Sequence, residues 1–167
     1  MNATLSYRPC VGIMVLNAAR RIWIGRRVDA PQEPEGPGAW WQMPQGGIDA
    51  EENAEDAALR ELFEETGMRS VALLAESPGW YSYDLPEALR PRAWGGRYRG
   101  QRQKWFAVRF LGPEAEIAIE RPPGQDSEFD AWRWAEANEL VSLVVPFKRA
   151  VYGQLLRDFA GLLRDPA

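Results

Sequence analysis

The sequence predicts a mixed α+β domain in which a curved sheet is held between helices. Three observations lead there. Short apolar, partly β-branched runs recur on both sides of one acidic, helix-forming stretch. Stretches rich in proline and glycine separate those runs. Residues 145–164 repeat apolar side chains every three to four positions: Val151, Leu155, Phe159 and Leu162 or Leu163.

Taken in order, residues 7–16 (YRPCVGIMVL) read as a buried strand, with Cys10 a small apolar group inside it. Residues 17–20 turn the chain, and residues 21–27 (RIWIGRR) return as the second strand of a hairpin. Residues 29–38 (DAPQEPEGPG) read as a surface loop. Residues 40–44 (WWQMP) form a short strand that feeds a glycine pair, Gly46-Gly47, where the backbone can bend and approach a ligand. Beyond the acidic helix, residues 70–76 and 80–84 read as strands, and residues 85–100 as an interrupted loop. From Asp84 to Lys104, the bases Arg90, Arg92, Arg97, Arg99, Arg102 and Lys104 outnumber the acids Asp84 and Glu87. With Trp94 and Tyr98 interleaved, this patch suits either a polyphosphate or nucleotide chain, or a solvated loop. Residues 103–111 read as a central strand, 116–120 (EIAIE) as an alternating segment and 128–134 (EFDAWRW) as the last strand. Trp105, Trp132 and Trp134 are assigned to the core. A short helix over 135–141 and a longer one over 145–164 close the chain.

Composition narrows the chemistry. A chain of 167 residues, 46% apolar, is expected to be one domain spanning 1–167. A net charge of −4 argues against general attraction to nucleic acid, and DNA is not an expected partner. One cysteine excludes an internal disulfide, and the lack of histidine removes the usual zinc sites and Ser-His or Cys-His machinery. Chemistry therefore falls to carboxylates, lysines, arginines, tyrosines and a metal. No apolar run is long enough to span a membrane and no signal-peptide core is evident, so the expected location is cytoplasmic, away from membranes.

Residues 46–68 (GGIDAEENAEDAALRELFEETGM) carry the strongest signal. Asn53 reads as the N-cap with Asp56 three residues on, and Gly67 ends the helix. Glu61, Glu64 and Glu65, at i, i+3 and i+4, share a face and repel one another unless a hard divalent cation holds them. Glu52 is placed to pair with Arg60 and pin the preceding loop. A solvated acidic face explains neither the glycine pair nor an arginine set among acids.

The spacing of Gly46, Glu52, Arg60, Glu61, Leu62, Glu64, Glu65, Gly67 and Met68 resembles the signature of the Nudix hydrolases without a gap. The likeness runs over roughly residues 6–160. It includes Tyr7-Arg8-Pro9, Trp41-Gln42-Met43-Pro44-Gln45, Gly100-Gln101-Arg102-Gln103-Lys104-Trp105-Phe106, Glu128-Phe129-Asp130 and Pro146-Phe147-Lys148-Arg149. These segments are similar to the bacterial RNA pyrophosphohydrolases and the related dinucleoside polyphosphate hydrolases. The 29–38 loop is longer than in many members.

The resemblance implies an α/β/α sandwich around a curved mixed sheet. It also implies Mg2+-dependent hydrolysis of a phosphoanhydride, with Mn2+ or another divalent cation as an alternative. The implied substrate is the 5′-triphosphate or diphosphate end of RNA, which is left as a monophosphate. A diadenosine tetra- or pentaphosphate remains the alternative, because it presents a similar base and polyphosphate. Glu61, Glu64, Glu65 and Glu128 are the expected metal ligands; Glu61, Glu65 and Glu128 the expected catalytic groups. The general base is Glu61 or Glu128, with Glu61 preferred. Arg8, Arg27, Gln101, Lys104 and Lys148 are expected to grip phosphate, and Tyr83 and Phe147 to stack on a base, beside Gly46 and Gly47. Glu52, Arg60 and Gly67 are expected to be structural. A sensor that has lost catalysis predicts erosion of the acids, and all are present.

Overall fold

The computed structural model describes residues 5–28 and 40–164. The strands are β1 (Ser6–Leu16), β2 (Ile22–Arg27), β3 (Trp41–Gln42), β4 (Gln45–Gly47), β5 (Val71–Glu76), β6 (Tyr81–Asp84), β7 (Tyr98–Phe110) and β8 (Phe129–Ala135). The helices are α1 (Ala54–Thr66), α2 (Leu140–Leu143), α3 (Arg149–Asp158) and α4 (Ala160–Leu163). The loop read at 29–38 lies outside the described residues.

One open, mixed sheet runs β3-β2-β1-β7-β5, with β4 on β1, β6 on β7 and β8 on β2. Its spine is the parallel pair β1 and β7, paired from Ser6 opposite Tyr98 to Leu16 opposite Arg109. Parallel strands need a long connection, and here α1, β5 and β6 lie within it. The other side of β1 is shared. Its C-terminal end meets β2 only at Leu16–Ile22, while Cys10, Val11 and Gly12 pair with Gly47, Gly46 and Gln45 of β4. The hairpin expected of β1 and β2 is therefore a brief contact, and β2 takes its ladder from β8.

Period-two alternation sorts the core onto two faces. Val11, Ile13, Val15, Phe106 and Val108 pack with Ala57, Ala58 and Leu62 of α1. Met14, Leu16, Trp105 and Ala107 pack with Val151, Tyr152 and Leu155 of α3. Small alanines let α1 lie close to the sheet. Leu59 and Phe63 of α1, apolar by type, are nonetheless 42% and 40% exposed, and Arg69 covers the Phe63 ring at 4.1 Å.

Four further segments differ from the reading of the sequence. The strand expected over residues 40–44 shrinks to β3, Trp41–Gln42, and a distinct β4 follows at Gln45–Gly47, so the glycine pair is strand rather than bend. Residues 116–120 form no strand: Glu116 ends a 3-10 turn and accepts hydrogen bonds from the Arg69 and Ser70 amides at 2.9 Å each, while the Ala118 amide donates to Thr66 O. That hydrogen-bonding capacity is spent on the exit of α1 instead of a ladder. The expected 145–164 helix is broken. Pro146 starts a 3-10 turn, and Phe159, at φ −101° with its ring buried, separates α3 from α4. The short helix expected over 135–141 is a 3-10 turn, Ala137–Glu139, followed by α2. Trp105 is fully buried, whereas Trp132 and Trp134 are half-buried against the α1-side core.

Tyr152 ties the two layers to β4. Its buried hydroxyl accepts the Met43 amide at 2.8 Å, two residues before β4 starts. Tyr152→Phe leaves that amide unsatisfied. Urea unfolding should show a loss of about 1–3 kcal/mol; an unchanged midpoint would mean that the amide finds another partner.

Candidate active site

The pairing of β4 with β1 sets the backbone of Gly46 and Gly47 against the start of the site. Neither position has room for a side chain. A β-carbon on Gly46 would lie 2.0 Å from Glu61 Cδ, and one on Gly47 would lie 2.4 Å from Arg8 Nη2. The glycines thus let an acid and a base press against the same short strand.

Helix α1 starts at Asn53, whose Oδ1 accepts the Asp56 amide at 2.8 Å. The expected return bond runs between side chains, from Asn53 Nδ2 to Asp56 Oδ2, rather than to backbone. Gly67, at φ 76°, ends the helix with its amide on Phe63 O. Between these caps, Arg60 spends its fork of donors on the loop and the helix together. Its Nε and Nη2 donate to Glu52 at 2.8 and 2.9 Å, and Nη2 also donates to Gly47 O at 2.9 Å. Nη1 reaches Glu61 Oε1 at 2.9 Å and Glu64 Oε2 at 3.1 Å. The Arg60 hydrogen bond and the Asp49 amide lower the Glu52 carboxyl to about 2.

One turn apart on α1, Glu61 and Glu65 line a cleft with Glu128, which directly precedes β8. Glu65 is 9% exposed and accepts the Gln45 amide at 3.3 Å. Burial, then the charges of Glu128 and Glu61, push its carboxyl well above the usual range. Burial also raises Glu61. Glu64 is placed differently: it is 54% exposed and lines a neighbouring groove with Glu116, Arg121 and Asp126. Glu61, Glu65 and Glu128 border both.

Arg8, Arg27 and Lys148 line the same cleft, together with the aromatic and apolar side chains of Tyr83, Leu85, Leu89, Trp94 and Phe147. The cavity, about 600 Å³, is of the size that takes a small ligand. The Tyr83 and Phe147 rings lie 5.7 Å apart, and Lys148, itself buried, donates to Gln42 Oε1 at 3.0 Å. Gln101 belongs to a buried amide chain: Gln103 Nε2 donates to Gln101 Oε1 and to Gln45 Oε1.

Lys104 does not join them. Alternation puts it on the other face of β7 from Gln101, and its Nζ donates to Ser77 O at 2.6 Å. Among the described side chains, the basic segment likewise brings apolar groups rather than cations to the cleft. Arg99 pairs with Asp84 at 2.8 Å, Arg90 donates to Leu85 O, and Arg102 covers Trp80 at 4.4 Å. Gln45, Leu85, Leu89 and Trp94 line the cleft without having been singled out as site residues from sequence. Trp94 carried a signal, its place inside the basic stretch; the others carried none.

Among the described residues, no three acids converge closely enough to hold a metal as arranged. Arg60 draws Glu61 and Glu64 toward itself. The donor set nonetheless fits a hard divalent cation. It is all oxygen, and crowded enough that Glu65 resists ionising without a compensating charge.

The depressed Glu52 carboxyl gives a signed expectation. Its folded value of about 2 lies below the ~4.3 of an unfolded chain. Its stabilisation is complete above about pH 5 and is lost as pH falls through its folded value. Thermal melts should show Glu52→Gln less stable than the parent at pH 7, with the gap closing toward pH 2. A gap independent of pH would mean that the carboxylate charge is not what stabilises the loop.

Residues 6–159 match the NUDIX domain. The chain is 56% identical over 161 residues to a protein named RNA pyrophosphohydrolase from Brucella abortus, covering 95% of this chain and 90% of that one. It is 55% identical over 163 residues to one of the same name from Mesorhizobium japonicum, covering 96% and 94%. Similar solved folds include the E. coli dihydroneopterin triphosphate pyrophosphohydrolase, with a TM-score of 0.66 and 21% identity over 91% of this chain and 98% of that one. A C. elegans Ap4A hydrolase binary complex gives a TM-score of 0.64 and 18% identity over 93% and 97%. A family match this long, with relatives alike along nearly their whole length, leads to the conclusion that the chain belongs to the Nudix family.

Proposed function

We propose that the protein is an RNA pyrophosphohydrolase: it hydrolyses a phosphoanhydride at the 5′-triphosphate or diphosphate end of RNA and leaves a 5′-monophosphate, which opens the RNA to decay. The observation that carries this reading is the cleft itself. Crowded carboxylates, Glu61, Glu65 and Glu128, share with the bases Arg8, Arg27 and Lys148 a space fit for a nucleotide end. The names of the Brucella abortus and Mesorhizobium japonicum relatives support the substrate. The reading takes the chain as one domain. It sets the work in the cytoplasm, where RNA carries fresh triphosphate ends, and names no protein partner. No described helix is long and apolar enough to cross a membrane.

Arg8, Arg27 and Lys148 neutralise phosphate oxygens that otherwise repel an incoming water. Tyr83 and Phe147 offer ring faces to a base. Glu61 takes the proton of the attacking water. A carboxylate is the base left to a chain without histidine, and Gly46 leaves Glu61 room in the cleft. Glu61, Glu65 and Glu128, with Glu64 at the rim, would hold a divalent cation, Mg2+ in this reading and Mn2+ as an alternative, which would supply charge neutralisation and a more acidic water. Arg60 and Glu52 fix the loop, and Gly67 fixes the helix end. Lys104 is left out of the phosphate grip.

The second reading is a dinucleoside polyphosphate hydrolase, since a diadenosine tetraphosphate presents the same base and phosphates to the same groups. Purified protein with Mg2+ should show a higher kcat/KM on 5′-triphosphate RNA than on diadenosine tetraphosphate. The reverse order would favour the second reading. Glu61→Gln and Glu65→Gln should each lower turnover by about two to four orders of magnitude, with the circular dichroism spectrum unchanged. Near-normal turnover in a folded variant would remove that residue from the mechanism.

A further inference from the structure

Trp94 combines three independent features. It lines the cleft, whereas no described cation of its segment does. It is a bulky residue at φ 49°, in the left-handed region, and is followed by Gly95 at 67° and Gly96 at 72°. A left-handed tryptophan is a genuine outlier, and such strain persists where the surroundings or the function require it. Third, the Arg8 guanidinium lies over the Trp94 ring, with Cζ 5.3 Å from the centroid, within cation–π range.

Arg8 packs against the glycine strand on the cleft side. Its Nη2 crowds Gly47, and its charge offsets the raised carboxyl of Glu61. The guanidinium is thus bounded by strand β4 on one side and an indole on another. Without the ring, a long and half-buried side chain would keep more rotamers, and ordering it would cost affinity when phosphate binds.

We propose that Trp94 is a positioning residue: it holds Arg8 against the Gly47 strand so that the guanidinium meets the substrate polyphosphate already in place. The Trp94 ring is itself steadied edge-on by Tyr98, at 6.2 Å and 75°. Its carbonyl accepts both the Arg97 amide and Arg97 Nε, which fixes the turn that carries it. This inference rests on the reading of the cleft as a polyphosphate site.

The test compares Trp94→Phe, Trp94→Leu, Trp94→Ala, Arg8→Ala and the Arg8→Ala/Trp94→Ala double variant. Each is assayed for kcat and KM on 5′-triphosphate RNA, with melting temperature measured alongside. The expected result is a KM about tenfold higher in the alanine and leucine variants, with a smaller change in kcat. Phenylalanine, which keeps a π face, should restore most of the loss. The double variant should be no worse than Arg8→Ala alone, because Trp94 acts through Arg8. Rescue by leucine as well as by phenylalanine would mean that Trp94 only packs, and would overturn the proposal. So would a double variant whose loss is the product of the two single losses, or a Trp94→Ala KM within twofold of the parent. If Trp94→Ala does not fold, the contrast between phenylalanine and leucine decides alone. If the parent protein releases neither pyrophosphate nor phosphate from the RNA, the proposed function fails, and that outcome is separate from any result on Trp94.

Discussion

Everything at the acidic end of the molecule depends on the Arg60 guanidinium. Helix α1 and strand β4 come from adjacent stretches of chain, and of the loop between them Ile48 packs on the apolar cluster that Ala57, Ala58 and Leu62 share. Arg60 joins loop and helix with charge, binding Glu52, the Gly47 carbonyl, Glu61 and Glu64 at once. A lysine would offer one compact ammonium where this site uses a planar fork with several donors. The depressed Glu52 carboxyl is the reciprocal sign of the same contact. Because Arg60 also touches Glu61 and Glu64, the clamp that fixes the loop partly compensates the anionic face, and any cation entering there competes with it.

That competition explains how the fold tolerates its own site. Three acids bordering one cleft are unfavourable, and burial makes them more so. The protein answers in three ways. Glu61 is held by Arg60, Glu65 is pushed toward its neutral form with the Gln45 amide on one oxygen, and Arg8 and Lys148 stand within electrostatic reach. The sheet behind is rigid: β1 and β7 pair without a shift from Tyr7 to Leu16, with large apolar side chains buried on both faces. A packed scaffold can hold a frustrated cluster in place, which is what charge-transfer chemistry on a polyphosphate requires.

Much of this was legible in order along the chain. Residues 46–68 carried their own grammar: a cap at Asn53, acids one turn apart, an arginine eight residues after Glu52, a glycine at the end. Each is a local rule, so the structure agrees with it residue by residue. The strands at 7–16 and 103–111 were readable because burial on both faces demands continuous apolar runs. Local rules failed where partners lie far apart in sequence. Residues 116–120 alternate like a strand, yet their hydrogen bonds go to the exit of α1. Phe63 looks apolar enough for a core, yet it faces outward beneath Arg69.

By itself the sequence determined the family, the helix that bears the acids and the kind of chemistry open to a chain without histidine, because spacing on a helix and the inventory of functional groups are properties of the chain alone. Only the tertiary structure decided which charges share the cleft. A strand turns successive side chains to opposite faces, so Gln101 enters the site while Lys104, three residues on, is spent on the Ser77 carbonyl. In the 85–100 segment Arg90 and Arg99 were diverted in the same manner to Asp84 and Arg97 to the Tyr98 ring, and the segment gave the cleft an indole instead. Which phosphate-sized space a cation faces is settled by register and by competing partners, and neither is written in residue spacing.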